Sequence, residues 1–88
     1  MKLKEINKRN TKIAVESYQE EIKRYETLRQ KHIDNLVEQD DKITIGHLYD
    51  KIRRLTNNIL ICKKQIKILE LKLQVKEIQQ DNLQLSLG

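Results

Sequence analysis

IGHLYDKIRRLTNNILICKKQIKILELKL, residues 45–73, is the stretch that decides the fold. From Ile45, apolar side chains recur at Leu48, Ile52, Leu55, Ile59, Cys62, Ile66, Leu69 and Leu73, in alternating steps of three and four. An α-helix turns once in about 3.6 residues, so this spacing holds all of them on one face and writes a heptad seam. With Ile45 at position a, the a sites are Ile45, Ile52, Ile59 and Ile66, and the d sites are mostly Leu. In a parallel pair that combination favours two strands.

A second apolar row runs through Ile61, Ile68, Leu71, Val75, Ile78 and Leu85, at c and f positions on the opposite side of the same helix. Two rows imply two neighbours, and a hairpin covers only one of them. Residues 69–75 and 83–87 also alternate apolar and polar, which is the period of a strand. Lys, Glu, Gln and Leu favour the helix over residues 69–78, since strands prefer β-branched and aromatic side chains. Residues 79–88 are compatible with either reading.

Outward from the seam, the N-terminal half repeats the helical rhythm over about residues 7–39, with Ile13, Ala14, Val15, Tyr18, Ile22, Tyr25, Leu28, Ile33, Leu36 and Val37 mostly three or four apart. The rhythm is lost at Glu38-Gln39-Asp40-Asp41, which places the turn at about residues 40–46 and helix two at about residues 47–78. Thr44 is the candidate cap, weakened by Gly46 beside it. Thr56-Asn57-Asn58, three mediocre helix formers in succession, is the candidate site of fraying or a kink.

Composition agrees. The 88 residues are 35% charged and 38% hydrophobic, with no Pro, Trp or Phe, two Gly and three Tyr. Turn residues and bulky core aromatics are too scarce for a sandwich, barrel or doubly wound sheet. So small a chain, with few large apolar side chains, is expected to complete its core by association. The fold class is therefore all-α, a long antiparallel, coiled-coil-like hairpin in a single domain, completed as a dimeric four-helix bundle or on a partner. Abundant Lys, Ile and Asn beside a single Ala fit an AT-rich genome, such as that of a low-GC bacterium, a phage or a plasmid.

Charge supports the hairpin. Counting Lys and Arg against Asp and Glu, residues 1–12 carry +4, residues 13–41 carry −4, residues 42–76 carry +7 and residues 77–88 carry −2, which accounts for the net +5. Folding the acidic segment onto the basic one brings opposite charges together. With the turn centred near residue 42 or 43, Leu36 lies near Tyr49, Ile33 near Ile52, Tyr25 near Ile59 or Leu60, and Tyr18 near Ile66.

The surplus cations Arg53, Arg54, Lys63, Lys64 and Lys67 are candidate phosphate contacts, with Lys2, Lys4, Lys8, Arg9 and Lys12 as a basic arm. A solvated face that keeps the bundle soluble explains them better than nucleic-acid binding does, since no aromatic residue is interleaved for base stacking. A helix-turn-helix around Gly46 fits poorly, because Asp41 and Lys42 stand where that motif buries small or apolar residues. No stretch is apolar enough to cross a bilayer and no apolar segment follows the basic N-terminus, so a cytoplasmic location without export is expected. A lone Cys62 makes no internal disulfide.

Catalysis finds little material. Gly46 and Gly88 are the only glycines, which excludes phosphate-binding glycine loops. His32, His47 and Cys62 are not brought together by the hairpin register, so neither nucleophilic chemistry nor a metal site is expected, and no cofactor. Cys62 reads as a small buried apolar residue, and the tyrosines as interface filler. The expected function is non-enzymatic protein–protein interaction, as a scaffold, adaptor or small inhibitor. Its partner is a second copy, a larger protein or both, engaged through Ile45, Leu48, Ile52, Leu55, Ile59, Cys62, Ile66, Leu69 and Leu73 and through Ile61, Ile68, Leu71, Val75 and Ile78. On this reading, replacing Ile59 and Ile66 with Asp abolishes assembly. The alternative is a small basic DNA- or RNA-binding regulator that dimerises through the bundle.

Overall fold

The computed structural model describes the backbone of residues 2–87 and the side chains as far as Asn82. Two helices, α1 (Leu3–Val37) and α2 (Lys42–Leu87), form an antiparallel hairpin measuring 71 × 19 × 12 Å. At 1.5 Å per residue the 46 residues of α2 span about 69 Å, so α2 sets the length of the rod.

The turn is shorter and earlier than the sequence suggests. α1 closes with tightened bonds, the amides of Glu38 and Gln39 donating to the carbonyls of Asn35 and Leu36 at 3.2 Å each. No described residue has a positive φ, so no left-handed cap is used. α2 then starts at Lys42, capped by Asp41 and not by Thr44. The Thr44 amide donates to Asp41 Oδ2 at 3.0 Å, its hydroxyl donates to the same oxygen at 2.8 Å, and the Ile45 amide donates to the Asp41 carbonyl at 2.9 Å. The carboxylate thus accepts from both the Thr44 amide and its hydroxyl, and it also complements the positive end of the helix dipole. The Thr44 hydrogen bonds, side chain first and then backbone, hold the Asp41 carboxyl below its usual range. Gly46, expected in the turn, lies inside α2.

α2 runs without interruption through Thr56-Asn57-Asn58 and through 69–78, where strand and helix periods compete in the sequence. Thr56 is stabilised at that weak place by donating its hydroxyl to the Ile52 carbonyl at 2.9 Å and accepting from Arg29 Nη1 of α1 at 3.2 Å. Residues 79–87 continue the helix. α1 likewise begins at Leu3, four residues before the expected start, with the amides of Glu5 and Ile6 donating to the Lys2 carbonyl at 3.1 and 3.2 Å.

The core lies along the heptad seam. Leu48, Leu55, Ile59 and Cys62 of α2 are buried with Ile22 of α1, and Tyr18, Tyr25 and Ile66 pack around the cluster of Ile22, Ile59 and Cys62. The contacts of Arg29 with Thr56 and of Glu21 with Cys62 set the register expected for a turn centred near residue 42. Tyr49 and Leu60 are exposed, so at those levels Leu48 and Ile59 supply the covered side chains. Ion pairs continue the same register to the open end, Lys8 with Glu77 at 3.9 Å and Lys4 with Asp81 at 3.8 Å. The N-terminal basic segment is consequently part of α1, not a free arm.

Candidate interaction surface

The two apolar rows of α2 have different fates. Every member of the first, from Ile45 to Leu73, is buried or half-buried in the hairpin, with Ile59 only 3% exposed. α1 meets it with a seam of its own, including Asn7, Thr11, Ala14, Tyr18, Ile22, Tyr25, Arg29, His32 and Leu36, all at least half-buried. Ile13, Leu28 and Val37, counted among the apolar residues of α1 in the sequence, face solvent. Arg29 and His32 take the covered places, and steps of three and four from Tyr25 to Leu36 would have found them.

The second row remains open. Ile61 is 57% exposed, Leu71 51%, Val75 53% and Ile78 58%, with Leu60 beside them at 58% and Ile68 half-buried. Leu85 lies outside the described side chains. A shallow groove along this row is lined by Ile68, Leu71, Lys72, Val75, Lys76 and Gln79. On a helix wheel, c and f positions lie almost opposite a and d, so the stripe faces directly away from α1. Single exposed apolar residues are ordinary on any protein surface, but a continuous row of this length marks a contact surface.

Charge is unevenly disposed along the stripe. Lys63, Lys64 and Lys67 surround its tip-ward half and are exposed, and none has an ion pair among the described residues. Lys72 and Lys76 line the open half of the groove, whereas Glu77 and Asp81 there turn toward α1, in contact with Lys8 at 3.9 Å and Lys4 at 3.8 Å. Arg53 is held by Asp50 at 3.3 Å, and Arg54 is exposed. The candidate phosphate contacts therefore form a tight group of lysines and a separate arginine pair about 15 Å away along the helix, not one tract.

Chemically reactive side chains are dispersed or enclosed. Cys62 faces α1 and donates its thiol to Glu21 Oε2 at 3.6 Å; burial first, then this acidic neighbour, raise its pKa. His47 is exposed near the tip, whereas His32 is half-buried on α1 with Nδ1 shielded from solvent and without a hydrogen bond. Among the described residues no group of three or more His, Cys, Asp or Glu is arranged to hold a metal ion. No described helix is long and apolar enough to cross a membrane. Comparison with known protein families, with curated proteins and with solved structures finds no match for this chain.

Proposed function

We propose that this protein is a non-enzymatic interaction module, a rigid helical hairpin that acts by binding another polypeptide along the outer face of α2. The supporting observation is the row Ile61, Ile68, Leu71, Val75 and Ile78, which stays exposed or half-exposed after the hairpin has used its heptad seam. Such a stripe accepts an amphipathic helix side by side, each apolar residue filling the gap between residues three and four apart on its neighbour. The scaffold, adaptor and inhibitor roles differ only in what the bound partner does next.

The surface available for binding is narrower than the sequence implies. Ile59 and Ile66 pack against α1, so their replacement by Asp would unfold the hairpin and report nothing about assembly. The informative variant is Leu71→Asp with Val75→Asp, since both residues are more than half exposed. A photocrosslinking amino acid at Leu71, installed in cells that make the protein, should capture a polypeptide, whether a second copy or another protein. The same group at Lys23 on α1 should not, and Val75→Asp should abolish the Leu71 product. Equal crosslinking at both positions, or none, would refute the reading.

Lys63, Lys64 and Lys67, all exposed within little more than one turn, support a second reading as a phosphate-binding surface. It requires that nucleic-acid affinity fall steeply with salt and decline when the three are neutralised.

A further inference from the structure

We infer that the partner fitted by the outer stripe of α2 is an acidic amphipathic helix, one whose apolar row is flanked on both sides by Asp or Glu. This rests on the interaction-module reading above and goes further by fixing the chemistry of the partner. Residues 51–76 hold eight Lys and Arg against a single acid, Glu70. Successive residues of an α-helix are about 100° apart around its axis, which assigns each of these charges to a face. Lys64 stands within the apolar row, Lys67 borders it on one side, and Lys72 and Lys76 border it on the other. All four are exposed, and none has an ion pair among the described residues. The acids lie elsewhere. Glu77 and Asp81 meet Lys8 and Lys4 of α1, and Glu70, two turns before Glu77, shares its edge of the helix. The stripe is therefore rimmed by uncompensated cations along both of its edges, and Lys72 and Lys76 line its groove directly.

An acidic amphipathic helix answers both features at once. Its apolar row enters between residues three and four apart on α2, and its carboxylates reach Lys67 on one side and Lys72 and Lys76 on the other. The lysine stems extend the apolar surface it rests on. A second copy would bring the same uncompensated lysines into the contact in either orientation. Nucleic acid would neutralise the lysines but leave the apolar row uncovered. Helices that lie on a bilayer present a broader apolar face anchored by Trp or Phe, and this chain has neither. From Ile61 to Ile78 the stripe is about 26 Å long, so it accommodates a partner helix of about 18 residues. A contact one helix wide is small by the standard of stable interfaces, so the complex is transient and charge supplies much of its selectivity.

The test is fluorescence anisotropy of the full chain with two hydrocarbon-stapled synthetic helices of about 18 residues. Each has a Leu row at steps of three and four; one carries Glu on both flanks, and its twin carries Lys at the same positions. The Glu helix should bind about ten-fold more tightly than the Lys helix at low ionic strength, and the difference should shrink as salt passes about 0.15 M. Leu71→Asp with Val75→Asp should abolish binding at unchanged helicity, and Lys67→Glu with Lys72→Glu should reverse the preference toward the Lys helix. No binding of the Glu helix, equal binding of both, or binding indifferent to these variants would overturn the inference. So would tighter binding through the same residues to phosphatidylserine–phosphatidylcholine vesicles or to duplex DNA, or a stripe-dependent dimer in sedimentation equilibrium. If any of these occurs while Leu71 still crosslinks to a polypeptide in cells, the acidic partner alone is wrong; if that crosslink is missing as well, the interaction-module reading falls with it.

Discussion

Replacing Gly46 with Ala discriminates sharply between the observed helix start and a turn extending to residue 46. Gly46 lies inside α2, has no positive φ and is exposed, and a Cβ added to it meets no atom within 4 Å. Glycine in a helix interior costs roughly 0.5–1 kcal/mol relative to alanine, because its unfolded chain has more freedom to lose. With no clash to offset that gain, Gly46→Ala should stabilise the hairpin by about 0.5–1 kcal/mol, toward the lower figure so close to the helix N-terminus. For a domain of this size that corresponds to a rise in melting temperature of roughly 2–8 °C. The assay is thermal unfolding followed by circular dichroism at fixed protein concentration, since self-association would itself shift the midpoint. If residues 40–46 formed the turn with Gly46 left-handed, the same substitution would destabilise by a similar amount or more. A lowered or unchanged midpoint therefore refutes the placement of the α2 start.

The two rows of α2 should respond differently to truncation. Ile59→Ala, at a site 3% exposed, should cost about 2–4 kcal/mol in denaturant unfolding, whereas Leu71→Ala, at 51% exposure, should stay within about 0.5 kcal/mol at concentrations where the protein is monomeric. His32→Leu should be neutral or stabilising by up to about 1 kcal/mol, because it removes a shielded Nδ1 without a partner; a clear loss of stability would reveal a hydrogen bond at that atom. The Asp41 carboxyl has a depressed pKa in the hairpin, so its contribution is present above the ordinary carboxylate pKa and is lost as pH falls through the depressed value. Asp41→Asn, which keeps a cap but does not titrate, should show a shallower loss of α2 helicity in acid. The raised pKa of Cys62 acts at the other limb, its contribution being complete below the ordinary thiol pKa and declining as pH climbs toward the raised one. Cys62→Ala should flatten that alkaline decline, and in the wild type a thiol reagent should react no faster than the hairpin opens.

The antiparallel hairpin was legible because two independent signals agree, the uninterrupted heptad from Ile45 to Leu73 and the acidic-against-basic sorting of the two halves. Register was legible to within about a residue, as the contacts of Arg29 with Thr56, Lys8 with Glu77 and Lys4 with Asp81 show. Boundaries were not. Gly46 reads as a turn residue by propensity, but an Asp at the preceding cap position is a stronger local determinant, and helix α2 tolerates the glycine once Asp41 has satisfied its first amides. The covered face of α1 was partly hidden for a different reason. It carries Arg29, whose guanidinium reaches Thr56, and His32, so a search for apolar residues alone selects Ile13 and Leu28 on the wrong side. Long polar side chains can cover apolar surface with their stems while their heads reach a partner or water, which periodicity of hydrophobic letters does not register.

The relation between the two rows, not their existence, decides what assembly the surface can support. A square four-helix bundle needs each helix to offer two faces roughly a right angle apart, one to its hairpin partner and one to the other hairpin. Here the a/d row and the c/f row of α2 are nearly diametrically opposed, and the outer face of α1 has no continuous apolar row to join them, since Ile13 and Leu28 are separated by Ser17, Glu20 and Arg24. A helix docking on the stripe therefore touches α2 alone and extends the layer. Such a contact has half the partners of a bundle interface, so its strength depends on matching four or five apolar residues and on avoiding lysine against lysine.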